Sequence, residues 1–380
     1  MTEPPLRIAH TESSTGWGGQ EIRILSEAAG LLARGHDVVV YATPGSRLAA
    51  EAPRFGVPLV QLPIGDKHTR GVLAMIRALR ARPVDVVNTH SSTDSWLAAL
   101  ACRYLRVRRL PAPAIVRTRH VSVPVPDNRA TRWLYRKATS HIVTTGDALR
   151  DALIRDVGVD AARVFSVPTG IDPHRHAGLD YAQSRSTLRL PAEAPLVGIV
   201  ATLRSWKGHR YLVDALAKMR HADAKLVIVG DGPQRESLTR QVAAAGLRDR
   251  VTFAGQQDDV APWLAALDVF ALPSYANEGV PQALLQAMFA GIPAVTTDAG
   301  AIAEIAHAGT TALVVPREDP DALAAAIDTL LDDRALGRRL AGNARELVSG
   351  RYTQAAMLDR MEAVFRHAVT DPRGARRAGR

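Results

Sequence analysis

At 380 residues the chain is too long for one ordinary core and implies two or three domains. Its 47% apolar and 23% charged content is that of a soluble globular protein, and its single cysteine, Cys102, excludes an internal disulfide or a Cys-rich zinc site and points to a reducing compartment. The net charge of +10 is carried almost wholly by residues 1–170, with 23 basic against 14 acidic side chains, where residues 171–380 have 25 against 24.

The chain starts Met-Thr-Glu-Pro-Pro, without a signal-peptide pattern, and no apolar run approaches the ~20 residues of a membrane span, so a cytoplasmic protein is expected. Short β-branched runs then alternate with longer amphipathic stretches, the pattern of βα units on a parallel sheet. Strands are predicted at Leu6–His10, Asp37–Tyr41, Val84–Asn88, Ala114–Arg117 and His141–Thr144. A helix at Gln20–Arg34 opens after glycines and stops at Arg34-Gly35, a C-cap signal. Turn formers at 167–173 and a polar stretch to Pro195 read as a hinge. A second series has strands at Leu196–Ala201, Lys225–Val229, Val251–Ala254, Val269–Leu272, Ala294–Thr296 and Ala312–Val315. Its helices are predicted near His209–Met219, Gln234–Ala245, Val260–Ala266, Pro281–Ala290 and Asp321–Leu331, and a last amphipathic run covers Gln354–His367. The expectation is two doubly wound domains, 1–170 and 171–367, with the last helix free to return to the first, followed by a disordered basic tail at 368–380.

Open parallel sheets bind ligands beyond the carboxyl ends of their strands. Gly18-Gly19, His90, the segment Arg117–His120, the loop Arg204–Gly208, Gly230–Pro233 and Ser274–Pro281 all follow predicted strands. Two such edges facing each other across a hinge would form a cleft. Gly18-Gly19 at a helix start lets amides approach an anion, although a tight turn explains the pair equally well. Arg204 and Lys207 reach one space from one loop and together can neutralise a diphosphate. Pro281 suits a first helical turn, which would aim the amides of Gly279 and Val280 at a ligand. Glu278 offers a carboxylate to sugar hydroxyls, and Gln286 lies about two turns further along the same helix face. No Gly-x-Gly-x-x-Gly fingerprint or Walker loop is present, which argues against a dehydrogenase.

These residues together resemble the retaining, nucleotide-sugar-dependent glycosyltransferases of family 4, over about residues 6–367. Glu278 through Gln286 corresponds to the family's glutamate–seven-residue–glutamate motif, Arg204 and Lys207 to its basic pair, Gly18-Gly19 to its first loop and His90 to its strand-end histidine. The resemblance implies the GT-B fold: two Rossmann-like domains facing each other across a cleft, the first binding acceptor and the second nucleotide sugar. It implies that His90, Arg204, Lys207 and Glu278 are catalytic. Gly18, Gly19, Arg204, Lys207, Gly279, Val280 and Gln286 would bind the donor, with no metal or other cofactor. Glutamine at 286 departs from the motif; it keeps an acceptor oxygen for a ribose hydroxyl but not the charge. A nucleotide-sugar epimerase, a phosphorylase and a silent nucleotide-sugar binder remain alternatives.

The basic first half, with Arg119 and His120 near its ligand edge, suggests a glycan or lipid-linked acceptor and peripheral contact with an anionic membrane. A plain solvated basic surface is the competing reading. Nucleic acid is disfavoured, because the arginines are not interleaved with aromatics. The likeness to transferases of lipopolysaccharide and surface-polysaccharide assembly points to that pathway.

Overall fold

The computed structural model describes residues 3–120, 123–176 and 180–371. Its contacts divide the chain into two units, one of residues up to Thr169 together with those from Gln354 onward, the other Gly170–Thr353.

The first unit holds seven parallel strands: β1 Arg7–Glu12, β2 Asp37–Ala42, β3 Leu59–Gln61, β4 Val86–Thr89, β5 Ala114–Arg119, β6 His141–Thr144 and β7 Val164–Ser166. Their order is β3-β2-β1-β4-β5-β6-β7. The order reverses direction between β1 and β4, which pair with Ile8 opposite Val86, so a ligand crevice is expected beyond their carboxyl ends. The outermost strands, β3 and β7, are three residues each and carry no alternation long enough to read from sequence.

Helix Gly19–Ala33 buries Ile24, Leu25, Ala28 and Leu31 against this sheet and also places Arg23 and Glu27 inside. It stops where Gly35 takes φ +88°, a conformation that penalises any Cβ. The C-terminal helix Gln354–Thr370 inserts Met357, Met361, Val364 and Phe365 into the same core, and helical structure runs three residues beyond the predicted end at His367. The basic tail expected at 368–380 otherwise lies, from 372, outside the described residues.

The second unit repeats the scheme with β8 Leu196–Val200, β9 Lys225–Val229, β10 Val251–Gly255, β11 Val269–Leu272, β12 Ala294–Thr296 and β13 Leu313–Val314. The order is β10-β9-β8-β11-β12-β13, all parallel, and its reversal lies between β8 and β11. A helix absent from the sequence reading, Arg334–Arg351, packs Leu340, Ala341, Ala344 and Val348 against this unit. Among the described residues no helix is long and apolar enough to cross a membrane.

Candidate active site

The second unit places its unusual residues at the reversal of strand order. After β8 the chain enters a short 3-10 turn, Ser205–Lys207, and then Gly208 at φ +75°. A Cβ on Gly208 would lie 2.0 Å from the Pro273 carbonyl oxygen, so only glycine lets this loop rest on the exit of β11. The Tyr275 amide donates to the Trp206 carbonyl at 2.9 Å and joins the two loops. Lys207 and Glu278 thereby meet: Nζ donates to Oε1 at 2.6 Å and to Oε2 at 2.9 Å.

Glu278 is 4% exposed and also accepts the Ser274 hydroxyl at 2.6 Å. Its backbone is clamped as well. Asn277 before it has φ +59°, and Gly300, at φ +57°, sits so close that an added Cβ would be 2.2 Å from the Glu278 carbonyl oxygen. That carbonyl accepts the Ala301 amide at 3.2 Å. An ammonium has three protons. With two on Glu278, one remains for a further acceptor such as a phosphate oxygen. Arg204 lies on the same loop, exposed, with its guanidinium 5.8 Å from the Trp206 ring centre. An exposed cation beside a held one suits a ligand that arrives with charge.

Two details differ from the sequence reading. Pro281 is the N-cap, with ψ +124°, and the helix begins one residue later, Gln282–Phe289. Gly279 and Val280 are buried in the turn ahead of it, and Gln286 is half-buried on the helix. Ser274 stood in the expected strand-end cluster without a role, because one serine there carries no signal until Glu278 is seen to fold back on it.

In the first unit, Gly18 caps helix Gly19–Ala33 with φ −176°, extended backbone that any residue adopts, so conformation does not demand glycine there. Gln20, two residues on, donates to the buried Glu12 carboxylate, which also accepts the Ser91 hydroxyl and, at 2.7 Å, the Ser14 amide. This network ties the glycine loop to the turn that bears His90. Asp94 holds that turn, accepting the amides of His90 at 3.0 Å and Ser91 at 2.9 Å and the Thr11 hydroxyl at 2.6 Å. Burial, reinforced by the Glu12 charge, pushes the Asp94 carboxyl up to about 7.

His90 is the middle of three imidazoles. His10 Nδ1 is 3.1 Å from His90 Nε2, and His90 Nδ1 is 2.9 Å from His120 Nε2. Burial pushes His10 down to about 3 and holds His90 and His120 well below the usual histidine range. The rings are therefore neutral at neutral pH, each with one N–H donor and one acceptor nitrogen, and His10 Nε2 is left buried without a partner among the described residues. His10 lies within β1 and His90 and His120 directly follow β4 and β5, strands that are neighbours only in the folded sheet. His90, His120, Arg119 and Arg117 line a cavity of about 750 Å³. Arg119 is already engaged there, donating to the Tyr135 hydroxyl at 2.9 Å and to the Val123 carbonyl. His10, Glu12, Asp94 and Lys67 were missed as site residues; a uniform search of every strand end would have flagged the first two.

Comparison with known proteins agrees with this architecture. The family models of group 1 glycosyl transferases and of Glycosyltransferase Family 4 match residues 194–333 and 17–175. The chain is 31% identical to an alpha-D-kanosaminyltransferase of Streptomyces kanamyceticus over 297 residues, 73% of this chain and 76% of that one. It is 30% identical to a lipopolysaccharide core mannosyltransferase, LpsB, of Rhizobium meliloti over 261 residues, 61% of this chain and 70% of that one. The structure of Anabaena HepE in complex with UDP and glucose superposes with a TM-score of 0.84 at 22% identity, covering 95% of this chain and 99% of that one. The chain belongs to the family 4 (group 1) glycosyltransferases and is a nucleotide-sugar-dependent glycosyl-transfer enzyme of the GT-B fold.

Proposed function

We propose that the second unit binds a nucleoside-diphosphate sugar at the Lys207–Glu278 pair and that the sugar passes with retention to a hydroxyl of a cell-surface glycan or its lipid-linked precursor. The observation that carries this reading is the ammonium held on a buried carboxylate at the strand-order reversal, where open α/β sheets bind ligands. Lys207 and Arg204 stabilise the charge that grows on the diphosphate as the sugar leaves. Glu278 orients sugar hydroxyls, Gln286 accepts from the ribose, and the Gly279–Val280 turn lies against the phosphates. Gly18 and Gly19 open the first helix of the other unit, and their donor-binding role rests on the family resemblance alone. His90 and its neighbour His120 contact the transferred sugar and acceptor. The relatives named for lipopolysaccharide core synthesis support the pathway.

This chemistry needs no metal, because the two cations do the neutralising. A panel of nucleotide sugars followed by thermal unfolding checks it. The correct donor at 100 times its Kd adds ~2.7 kcal/mol and raises the melting temperature by several degrees. Release of nucleoside diphosphate from that donor is expected to continue unchanged in EDTA. Stabilisation by no donor, or complete loss of release on chelation, would count against the reading.

We further infer that the enzyme works at the inner face of an anionic membrane. Helices Thr69–Ala81 and Ser92–Val107 pack together and bury one face each. Their outer faces expose Leu73, Leu100, Tyr104 and Val107 among Arg70, Arg77, Arg80, Arg103 and Arg108. Each arginine near an anionic surface adds about 1 kcal/mol, and the apolar side chains can enter the interface. Co-sedimentation with phosphatidylglycerol-containing vesicles is expected, falling as salt rises. Equal binding to purely zwitterionic vesicles, or none to either, would refute it.

A further inference from the structure

Four arginines of the described chain are buried: Arg23, Arg117, Arg163 and Arg185. Three have their partners. Arg23 donates to the Val167 carbonyl and pairs with Glu27, Arg163 donates to the carbonyls of Ser140, Arg136 and Thr139, and Arg185 binds Asp268 and a ring of carbonyls. Arg117 is different. It is 5% exposed, its guanidinium lies 4.4 Å over the Tyr135 ring, and its Nε and Nη1 are buried with no hydrogen-bond partner among the described residues. A guanidinium cannot shed its charge to ease such a position. Buried donors left unpaired are costly, and groups of this kind persist where a ligand completes them.

The surroundings of Arg117 say what kind of ligand that is. Arg117 lines the cavity of about 750 Å³ that also takes His90 and His120, and its other charged lining residues are Lys67 and Arg119, with no Asp or Glu among the described ones. Lys67 is exposed, its ammonium 3.4 Å from the Ser92 hydroxyl. Trp96 and Leu134 supply an apolar wall. A basic pole beside a flat aromatic surface suits a sugar ring that carries an anionic substituent, since planar bidentate recognition of phosphate or carboxylate is what arginine does best.

We propose that Arg117 is a specificity-determining residue that binds a phosphate or carboxylate group borne by the sugar acceptor. The proposal rests on the reading that the cavity beside His90 receives the acceptor. Tyr135 stacks the guanidinium; Nε and Nη1 are covered as well as unpaired, so a small shift of the side chain brings them to the anion's oxygens, and Lys67 adds a second, adjustable charge. Neutral acceptors would leave Arg117 as unpaired as it is without ligand, so the site discriminates against them.

Isothermal titration of the full chain with glucose 6-phosphate, glucuronate and glucose tests this. At least one of the two anionic sugars is expected to bind ~10-fold or more tighter than glucose, the gain of a charge-assisted pair. The sugar that gains identifies the group as phosphate or carboxylate. In Arg117→Gln the gain disappears, and in Arg117→Lys part of it returns; thermal unfolding of both variants verifies that the fold survives. Anionic sugars that bind no better than glucose, or a preference that survives in Arg117→Gln, would overturn the proposal. Nucleotide release from the donor panel by the unaltered chain is measured separately. An enzyme that cleaves donor yet shows no anion preference loses this proposal only. A chain that binds the anionic sugar through Arg117 but cleaves no donor loses the acceptor assignment.

Discussion

Replacing Lys207 with alanine is expected to lower kcat by ~10²–10³-fold, the usual consequence of losing one preorganised donor to developing charge. The ammonium is fixed before any ligand arrives, by 2.6 and 2.9 Å contacts to Glu278, so stabilising the leaving diphosphate requires little reorganisation. Arg204→Ala also removes charge from the diphosphate. Because Arg204 is exposed and not locked to Glu278, its loss should divide between KM and kcat. Glu278→Ala is expected to impair turnover about as much as Lys207→Ala, since it both frees the lysine and removes the sugar contact. The double variant should then lose much less than the product of the two single losses, the mark of residues that act as a unit. Steady-state kinetics of nucleoside diphosphate release measure all four. Near-normal turnover in Lys207→Ala would remove the pair from the mechanism.

The largest stability effect is expected at Glu27. Arg23 and Glu27 are both fully buried, with Nε 3.4 Å from Oε2, and Arg23 Nη1 donates to the Val167 carbonyl at 2.7 Å. Asn88 donates a further 3.4 Å hydrogen bond to Glu27. Removing one partner of a buried pair costs ~3–5 kcal/mol, because the other is left as an uncompensated charge. The two single variants should not be equal. In Arg23→Met the remaining carboxyl, already pushed up by burial, can take a proton and become neutral. In Glu27→Gln the remaining guanidinium cannot. Urea unfolding should therefore show Glu27→Gln as the more destabilised, with the loss confined to the transition of the first unit. Equal losses, or losses under about 1 kcal/mol, would mean that water or a rearranged neighbour satisfies Arg23.

Much of the secondary structure was legible in the chain. All eleven predicted strands needed only a β-branched run, as in Lys225–Val229 and His141–Thr144, whose observed bounds coincide with those read from sequence. The exceptions each have a physical cause. β3 and β7 are three-residue edge strands, too short to alternate. Helix Arg334–Arg351 is so rich in arginine that its buried stripe of Leu340, Ala344 and Val348 is diluted below notice. Pro281 looked like a first-turn residue because proline is favoured there, but the turn that carries Glu278 draws it into the cap instead.

The sequence by itself determined the alternation of strand and helix and the residue types gathered at strand ends, Glu278, Arg204 and Lys207 among them. Pattern and spacing are local, and the chain states them directly. Which strand ends become neighbours was decided only in three dimensions. Lys207 and Glu278 stand 71 positions apart and meet because β8 pairs with β11 across the strand-order reversal. His10, His90 and His120 form one line because β1, β4 and β5 are adjacent, although 80 and 30 positions separate them. The open valences of Arg117 belong to the same class of fact. Every buried arginine looks alike in a sequence, and only the tertiary structure shows that, among the described residues, three have found their oxygen partners while Nε and Nη1 of the fourth have not.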